Sequence, residues 1–279
     1  MEPQLARSRS AVPRLLWRDS AGSTNSELIA LAADGALPSF TTLVTDDQTA
    51  GRGRLDRAWV APAGTALAIS VLVRPELPSR DAMAPAAMGW LPLAAGVAMA
   101  DAAAEVLPAG AAVGVKWPND VQIGGLKVCG ILSELVPAEL PPGASSSGAP
   151  SSGPAVVIGA GVNVTMTAGQ LPVPTATSLV IAGADPAQLE DRVLEAYLRG
   201  LTVLVTGLWQ HGGDAERSGL RAQAVARCTT IGRAVRVELP GGAELHGTAL
   251  GIDPLGRLEV RDGSGRVQPI AAGDVIHLR

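Results

Sequence analysis

Lys116-Trp117-Pro118-Asn119-Asp120-Val121-Gln122-Ile123-Gly124-Gly125-Leu126-Lys127-Val128-Cys129-Gly130-Ile131 is the stretch on which the fold turns. Apolar and β-branched residues mark strands from Val113 to Trp117 and from Val121 to Ile123, and the Pro-Asn-Asp between them is turn chemistry. Gly124-Gly125 then signals a hairpin, with Lys127 opening a return strand that reaches Val136. This reading puts Lys116 and Lys127, the only lysines of the chain, on adjacent hairpin-connected strands, where both ammonium groups reach one site. A lysine about 4 Å from a phosphate oxygen gains roughly 4 kcal/mol of Coulomb energy at an effective dielectric near 20, before desolvation. The alternative is two solvated strand lysines, with Asn119 and Asp120 as turn formers only.

Upstream, Gln48-Thr49-Ala50-Gly51-Arg52-Gly53-Arg54-Leu55-Asp56-Arg57 forms an arginine-glycine loop between β-rich runs at Thr41 to Asp46 and Thr65 to Val73. Glycines let backbone N–H groups approach an anion, and guanidinium forks grip its oxygens. The competing reading is a disordered Arg-Gly segment of the RNA-binding sort. Gln48 and Trp59 anchor a short loop between good strands, which favours a ligand loop.

Working outward, Leu15 to Trp17 reads as a first strand. Thr24-Asn25-Ser26-Glu27 then reads as a capping box opening a helix that stops near Gly35. Residues 1–13 lack periodicity and read as a disordered tip, with no room for an N-terminal DNA-binding domain. Ala82 to Ala100 carries no charged residue, and its Ala, Gly, Met and two prolines suit a buried helix continuing to Leu107 better than a membrane span. The Ser/Gly/Pro-rich stretch 137–154 cannot bury enough surface to order itself. Ala155 to Thr165, with Gly159, Gly161 and Asn163, is a strand whose glycines allow close packing, and Leu189 to Trp209 is a long amphipathic helix. From about Cys228 short β segments alternate with Pro-Gly-Gly, Pro-Leu-Gly and Asp-Gly turns, the pattern of a small barrel of five or six strands. Its acidic and basic residues balance, which favours protein docking over nucleic acid.

A chain of 279 residues accommodates a large domain and a small one. A net charge of −4 and the absence of any long basic block disfavour bulk nucleic-acid binding. Cys129 and Cys228 are far apart, which fits a reducing cytoplasm, and His211, His246 and His277 have no metal-ligand spacing, so no metal site is expected. The N-terminus carries arginines without the apolar run of a signal peptide.

Taken together, Ser23-Thr24-Asn25, the Gln48 to Arg54 run with Arg57 and Trp59, Lys116-Trp117-Pro118-Asn119-Asp120, Lys127 with Gly130-Ile131-Leu132, and Gly159-Ala160-Gly161-Val162-Asn163 resemble biotin protein ligase, in family order. The resemblance implies an α/β (α+β) catalytic domain with a mixed sheet, of the class II aminoacyl-tRNA synthetase and biotin ligase type, over 14–226, and an SH3-like barrel over 227–279. It implies two steps: biotin and Mg-ATP give biotinyl-5′-AMP and pyrophosphate, and a lysine of a biotin carboxyl carrier domain then attacks the mixed anhydride. The acceptor would belong to acetyl-CoA, acyl-CoA or pyruvate carboxylase, with no nucleic acid or membrane involved. By motif, Ser23, Thr24, Asn25, Gln48, Gly51, Arg52, Gly53, Arg54, Lys127 and Gly130 would hold biotin. Arg52, Arg54, Arg57, Trp59, Lys116, Asn119, Asp120 and Asn163 would hold ATP, with Lys127 and Arg54 catalytic.

Asp56 stands where the family usually has Gly, Cys129 replaces a small residue, and the 137–154 stretch is an addition. The nearest rival is a lipoate or octanoate ligase or transferase of the same fold, whose Arg-Arg-x-x-Gly-Gly-Gly type signature is absent. A non-enzymatic biotin sensor or docking module is the other alternative. The barrel, free of adenylation motifs, is expected to serve mainly the carrier-protein step.

Overall fold

The computed structural model describes residues 4–34, 37–75, 85–136 and 155–278, the side chains of 34, 56, 85 and 86 aside. The Ser/Gly/Pro-rich stretch 137–154 and the expected stop at Gly35 lie outside them. The chain runs α1 (Ala6–Ala11), β1 (Leu15–Trp17), α2 (Thr24–Asp34), β2 (Thr42–Thr45), β3 (Gly51–Arg52), β4 (Ala58–Trp59), β5 (Ala66–Val73), α3 (Pro85–Gly89) and α4 (Leu91–Val106). It continues with β6 (Val113–Lys116), β7 (Asp120–Ile123), β8 (Leu126–Val136), β9 (Ala155–Asn163), α5 (Leu189–Gln210) and α6 (Leu220–Arg227). The last five strands are β10 (Ala234–Glu238), β11 (Glu244–Ile252), β12 (Leu258–Asp262), β13 (Val267–Ile270) and β14 (Asp274–His277).

Seven strands form one sheet in the order β1-β2-β5-β9-β8-β7-β6. Only β1 and β2 pair in parallel, so the sheet is mixed. Side chains alternate across it, as the two-residue period of a strand requires. Leu67, Ile69 and Val71 of β5 and Val156, Ile158, Ala160 and Val162 of β9 join the main core with α4 and α5, while Leu72 and Val157 join α2 in a second cluster. The face beneath α2 therefore also carries Ser70, Gly159 and Gly161, and a cavity opens there.

α4 owes its place to its small residues. A Cβ at Gly96 would lie 3.2 Å from Val115 Cγ1 of β6, so the helix lies close on the sheet with α5 over it. Ala87–Val106 is long and apolar enough to cross a membrane, yet most of it is buried inside the protein. The expected helix is thus present, broken at Trp90 into α3 and α4.

Two expectations fail at the N-terminus. Residues 5–12 are not a disordered tip: Leu5, Ser8 and Val12 are buried, and the buried carboxylate of Asp191 on α5 accepts hydrogen bonds from Arg7 N and Ser8 N. A remote aspartate supplies the cap that the local sequence lacks. The Thr24-x-x-Glu27 capping box is not formed either. Thr24 is the first helical residue, Ser23 Oγ accepts from Ser26 N at 3.4 Å, and Glu27 pairs with Arg18.

Strands β10 to β14 make a separate antiparallel sheet, ordered β13-β12-β11-β10-β14. Its β11–β12 turn is plugged into the larger domain: Trp90 Nε1 donates to Pro254 O at 2.9 Å and Trp117 Nε1 to Gly256 O at 3.1 Å. Both indoles are buried.

Candidate active site

A cavity of about 560 Å³ is bounded by the α2 N-terminus, the arginine-glycine loop, strands β5, β6, β8 and β9, and the segment around Val173. From the second sheet, Glu238 and Asp274 to Ile276 close one end. Every residue anticipated for binding or catalysis lines it except Gly51. Gly51 acts behind the wall, because a Cβ there would lie 2.6 Å from Gln48 Nε2.

One end is a dense polar network. Ser70 Oγ donates to Asn25 Oδ1 at 2.6 Å and lies 2.8 Å from Thr24 Oγ1. Thr24 donates through both N and Oγ1 to Gln48 Oε1, at 2.8 and 3.0 Å. Asn25 Nδ2 reaches Glu134 Oε2 at 2.7 Å, and Glu134 in turn holds Arg52 at 3.0 Å. Ser70 and Glu134 were not anticipated, since a serine in an apolar strand and a charge near a strand end carry no motif. The β9 glycines make the room: a Cβ at Gly159 would fall 2.9 Å from Asn25 Cγ, and one at Gly161 would fall 2.7 Å from the Trp59 ring.

At the centre, Lys127 Nζ lies 2.6 Å from Asp120 Oδ1. Gly130 permits this, because a Cβ there would sit 3.1 Å from that ammonium. The Lys127 backbone is fixed on its other side, its N–H donating to Thr175 O and its carbonyl accepting from Thr177 N, both at 2.8 Å. Asn163 Nδ2 donates to Thr177 O at 2.9 Å and so braces the same segment.

The far end gathers cations. Arg54 Nη1 donates to Asn119 Oδ1 at 3.0 Å, and Asn119 Nδ2 to Ile131 O at 3.0 Å, so Asn119 is laced to β8 rather than being a turn former only. Arg57 pairs with Asp274. The three loop arginines thus part, Arg52 towards Asn25 and Glu134, Arg54 and Arg57 towards the second sheet. Lys116 and Lys127 are not on adjacent strands, since β7 lies between β6 and β8; a strand-turn-strand-turn-strand meander separates its outer members by one strand. The second sheet, expected to serve mainly the carrier-protein step, also reaches this cavity, where its Asp274 meets Arg57. Burial, and then the charges of Lys116 and Arg233, hold His277 below the usual imidazole range. Among the described residues, no three His, Cys, Asp or Glu side chains group as metal ligands.

Residues 24–145 match the Biotin/lipoate A/B protein ligase family, and residues 230–278 match the Biotin protein ligase C terminal domain. A biotin–[acetyl-CoA-carboxylase] ligase of Mycobacterium tuberculosis is 40% identical over 260 residues, 92% of this chain and 86% of the relative. The chain belongs to the biotin protein ligase family. A biotin–[acetyl-CoA-carboxylase] ligase of Paracoccus denitrificans is 32% identical over 91% of this chain and 96% of its own length. Among solved structures, biotin protein ligase from Aquifex aeolicus in complex with biotin and ATP covers 96% of this chain and 99% of its own, with a TM-score of 0.66 at 24% identity. That likeness shows the α/β fold with its C-terminal antiparallel sheet.

Proposed function

We propose that the cavity joins biotin to ATP and passes the biotinyl group to a carrier lysine, in the manner of the biotin–[acetyl-CoA-carboxylase] ligases to which the chain is similar. One arrangement carries the assignment: the Lys127–Asp120 pair stands between a neutral hydrogen-bonding network and a cluster of arginines in a single cavity. Thr24, Asn25, Gln48 and Ser23 suit the fused-ring head of biotin, whose ureido group needs paired donors and acceptors beside an apolar wall. Arg52, through Glu134, holds that end together, and Gly51, Gly53 and Gly130 provide space. Lys127 stabilises charge as it moves from the biotin carboxylate to the bridging phosphate oxygen, a role for a preorganised cation. Arg54, Arg57, Lys116, Asn119 and Asp120 serve the triphosphate and its Mg²⁺, with Trp59 and Asn163 towards the nucleoside. Closing the loop would keep water from the anhydride.

The acceptor is a biotin carboxyl carrier domain of acetyl-CoA, acyl-CoA or pyruvate carboxylase, met in the cytoplasm and without nucleic acid. The charge balance of the second sheet supports a protein partner. Incubation with labelled ATP and either biotin or lipoate, without acceptor, tests the assignment. Biotin-dependent pyrophosphate release and biotinyl-5′-AMP are expected. Release that depends on lipoate instead would overturn it in favour of the lipoate ligase reading.

A further inference from the structure

Arg54 and Arg57 leave their loop towards the second sheet, and one carboxylate meets both. Arg57 Nη2 donates to Asp274 Oδ2, and Arg54 Nη1 lies 3.6 Å from Asp274 Oδ1. Arg54 Nη2 also donates to Gly273 O at 3.3 Å. Asp274 is the better buried partner, its side chain 19% exposed against 63% for Arg57. Its position is rigid: Asp274 pairs in register with Glu238, and a Cβ at Gly273 would lie 2.8 Å from Glu238 O, so β14 runs tight against β10.

Arg57 donates to one oxygen of Asp274, and Arg54, whose own bonds go to Asn119 Oδ1 and Gly273 O, stands 3.6 Å from the other, so a phosphate group at this place would meet two guanidinium groups. Leu55, between the two arginines, sits at φ 56° and ψ 39° and is 69% exposed. A branched residue keeps this left-handed conformation only where its surroundings impose it. Its own side chain is not buried, so the restraint comes from the flanking arginine anchors and from Gly53 N donating to Arg57 O at 2.7 Å.

We propose that Asp274 is a positioning residue: it docks the arginine-glycine loop on the second sheet while the nucleotide site is empty, and yields Arg54 and Arg57 to the triphosphate when ATP enters. This rests on the assignment of that end of the cavity to ATP. The same N–H groups cannot serve carboxylate and phosphate in full, and the two anions repel at short range. Asp274 therefore keeps the arginines ordered and competes with the ligand that replaces it. The exchange ties loop position to the C-terminal domain and leaves the biotin end, held by Arg52 and Glu134, unaffected.

The test is hydrogen exchange of residues 51–59 in the ATP-free full-length protein, beside steady-state kinetics. Asp274→Asn, which keeps shape and removes charge, should speed exchange there by about three- to fivefold, the scale of one partly exposed ion pair. It should lower the KM for ATP by a similar factor and leave the KM for biotin unchanged, and Asp274→Glu should restore wild-type values. Should Asp274→Asn fail to fold, Arg57→Gln breaks the same pair from the loop and must speed the same exchange. Unchanged exchange at 51–59, or a raised KM for ATP in Asp274→Asn, overturns the proposal. A wild-type protein that releases no pyrophosphate with biotin overturns the nucleotide assignment itself, whereas normal release with an unmoved loop overturns the latch alone.

Discussion

Lys127 Nζ and Asp120 Oδ1 lie 2.6 Å apart across the β7–β8 pair, above a glycine whose missing Cβ leaves the path open. The pair holds the Lys127 ammonium at the cavity wall, where the proposed role in forming the acyl phosphate requires a fixed charge. Lys127→Met should lower adenylate formation by on the order of 10²- to 10³-fold, the loss expected for one preorganised transition-state donor. Pyrophosphate release measured on the folded variant checks this, and a near-wild-type rate would remove Lys127 from the chemistry.

Gly159 tests the opposite end. A methyl group there would enter the space of Asn25, which is itself bound to Ser70, Leu132 and Glu134. Gly159→Ala should weaken biotin binding by at least about tenfold and cost about 1–3 kcal/mol of stability, as overpacking does. Gly22→Ala, where a Cβ meets nothing within 4 Å, is the control. Calorimetric titration with biotin separates them, and equal affinities would show that Asn25 does not need its place.

Five short motifs were legible because each is local: the glycines, lysines and arginines that carry them lie within a few residues of one another, and the turns between them have strong chemistry. The C-terminal strands were legible for the same reason, through repeated Gly-containing turns. What escaped depends on distance along the chain. Ser8 and Asp191 are 183 residues apart, and their hydrogen bond orders a helix that no local periodicity announces. Thr24 and Ser23 compete as caps one residue apart, and the contest is decided by Gln48 and Ser70, which pull Thr24 into the first turn. Asp274 bears no motif, yet the fold delivers it to two arginines more than 200 residues upstream. The Asp56 side chain lies outside the described residues, so the effect of a carboxylate in the loop stays an expectation from sequence.

The two cysteines should differ sharply in reactivity. Cys129 is buried, and burial pushes its thiol up to about 12, although Lys127 pulls the other way. At pH 8 roughly one molecule in 10⁴ would carry the thiolate, which is the reactive form. Cys228 is partly exposed. Alkylation followed by peptide mass analysis should label Cys228 alone in the native protein and both residues in urea; native labelling of Cys129 at a comparable rate would contradict its burial.

His277 should give stability a dependence on pH. Its folded value lies below the ordinary 6.5, through burial first and then Lys116 and Arg233. The unfolded chain therefore binds the proton more readily, and stability falls as pH drops from the ordinary value towards the folded one, while above about 6.5 the residue adds no slope. The ring Nε2 lies 3.1 Å from Thr230 Oγ1, which accepts from Trp117 N at 3.1 Å, so the imidazole titrates behind the cavity wall that Trp117 lines. Urea midpoints between about pH 5 and 7.5 should fall less steeply towards acid for His277→Gln than for the wild type, and identical slopes would refute the assignment.

The domain seam offers the sharpest separation of structure from chemistry. Trp90 Nε1 donates to Pro254 O at 2.9 Å, and Trp90→Phe removes that donor together with part of a buried ring. The lost bond to the carbonyl of an exposed proline and the space left by the smaller ring together cost about 1–3 kcal/mol, so the melting temperature should fall. The functional effect should be directional. The β11–β12 turn seats the sheet that presents Glu238 and Asp274 to the cavity, whereas Asn25, Gln48 and Glu134 lie wholly within the larger domain. Loosening the seam should therefore change the KM for ATP more than the KM for biotin, and should affect adenylate formation as well as transfer to the carrier. Single-turnover measurements of the two steps at a temperature where the variant is folded decide it: a defect confined to transfer would restore the second sheet to a docking role alone.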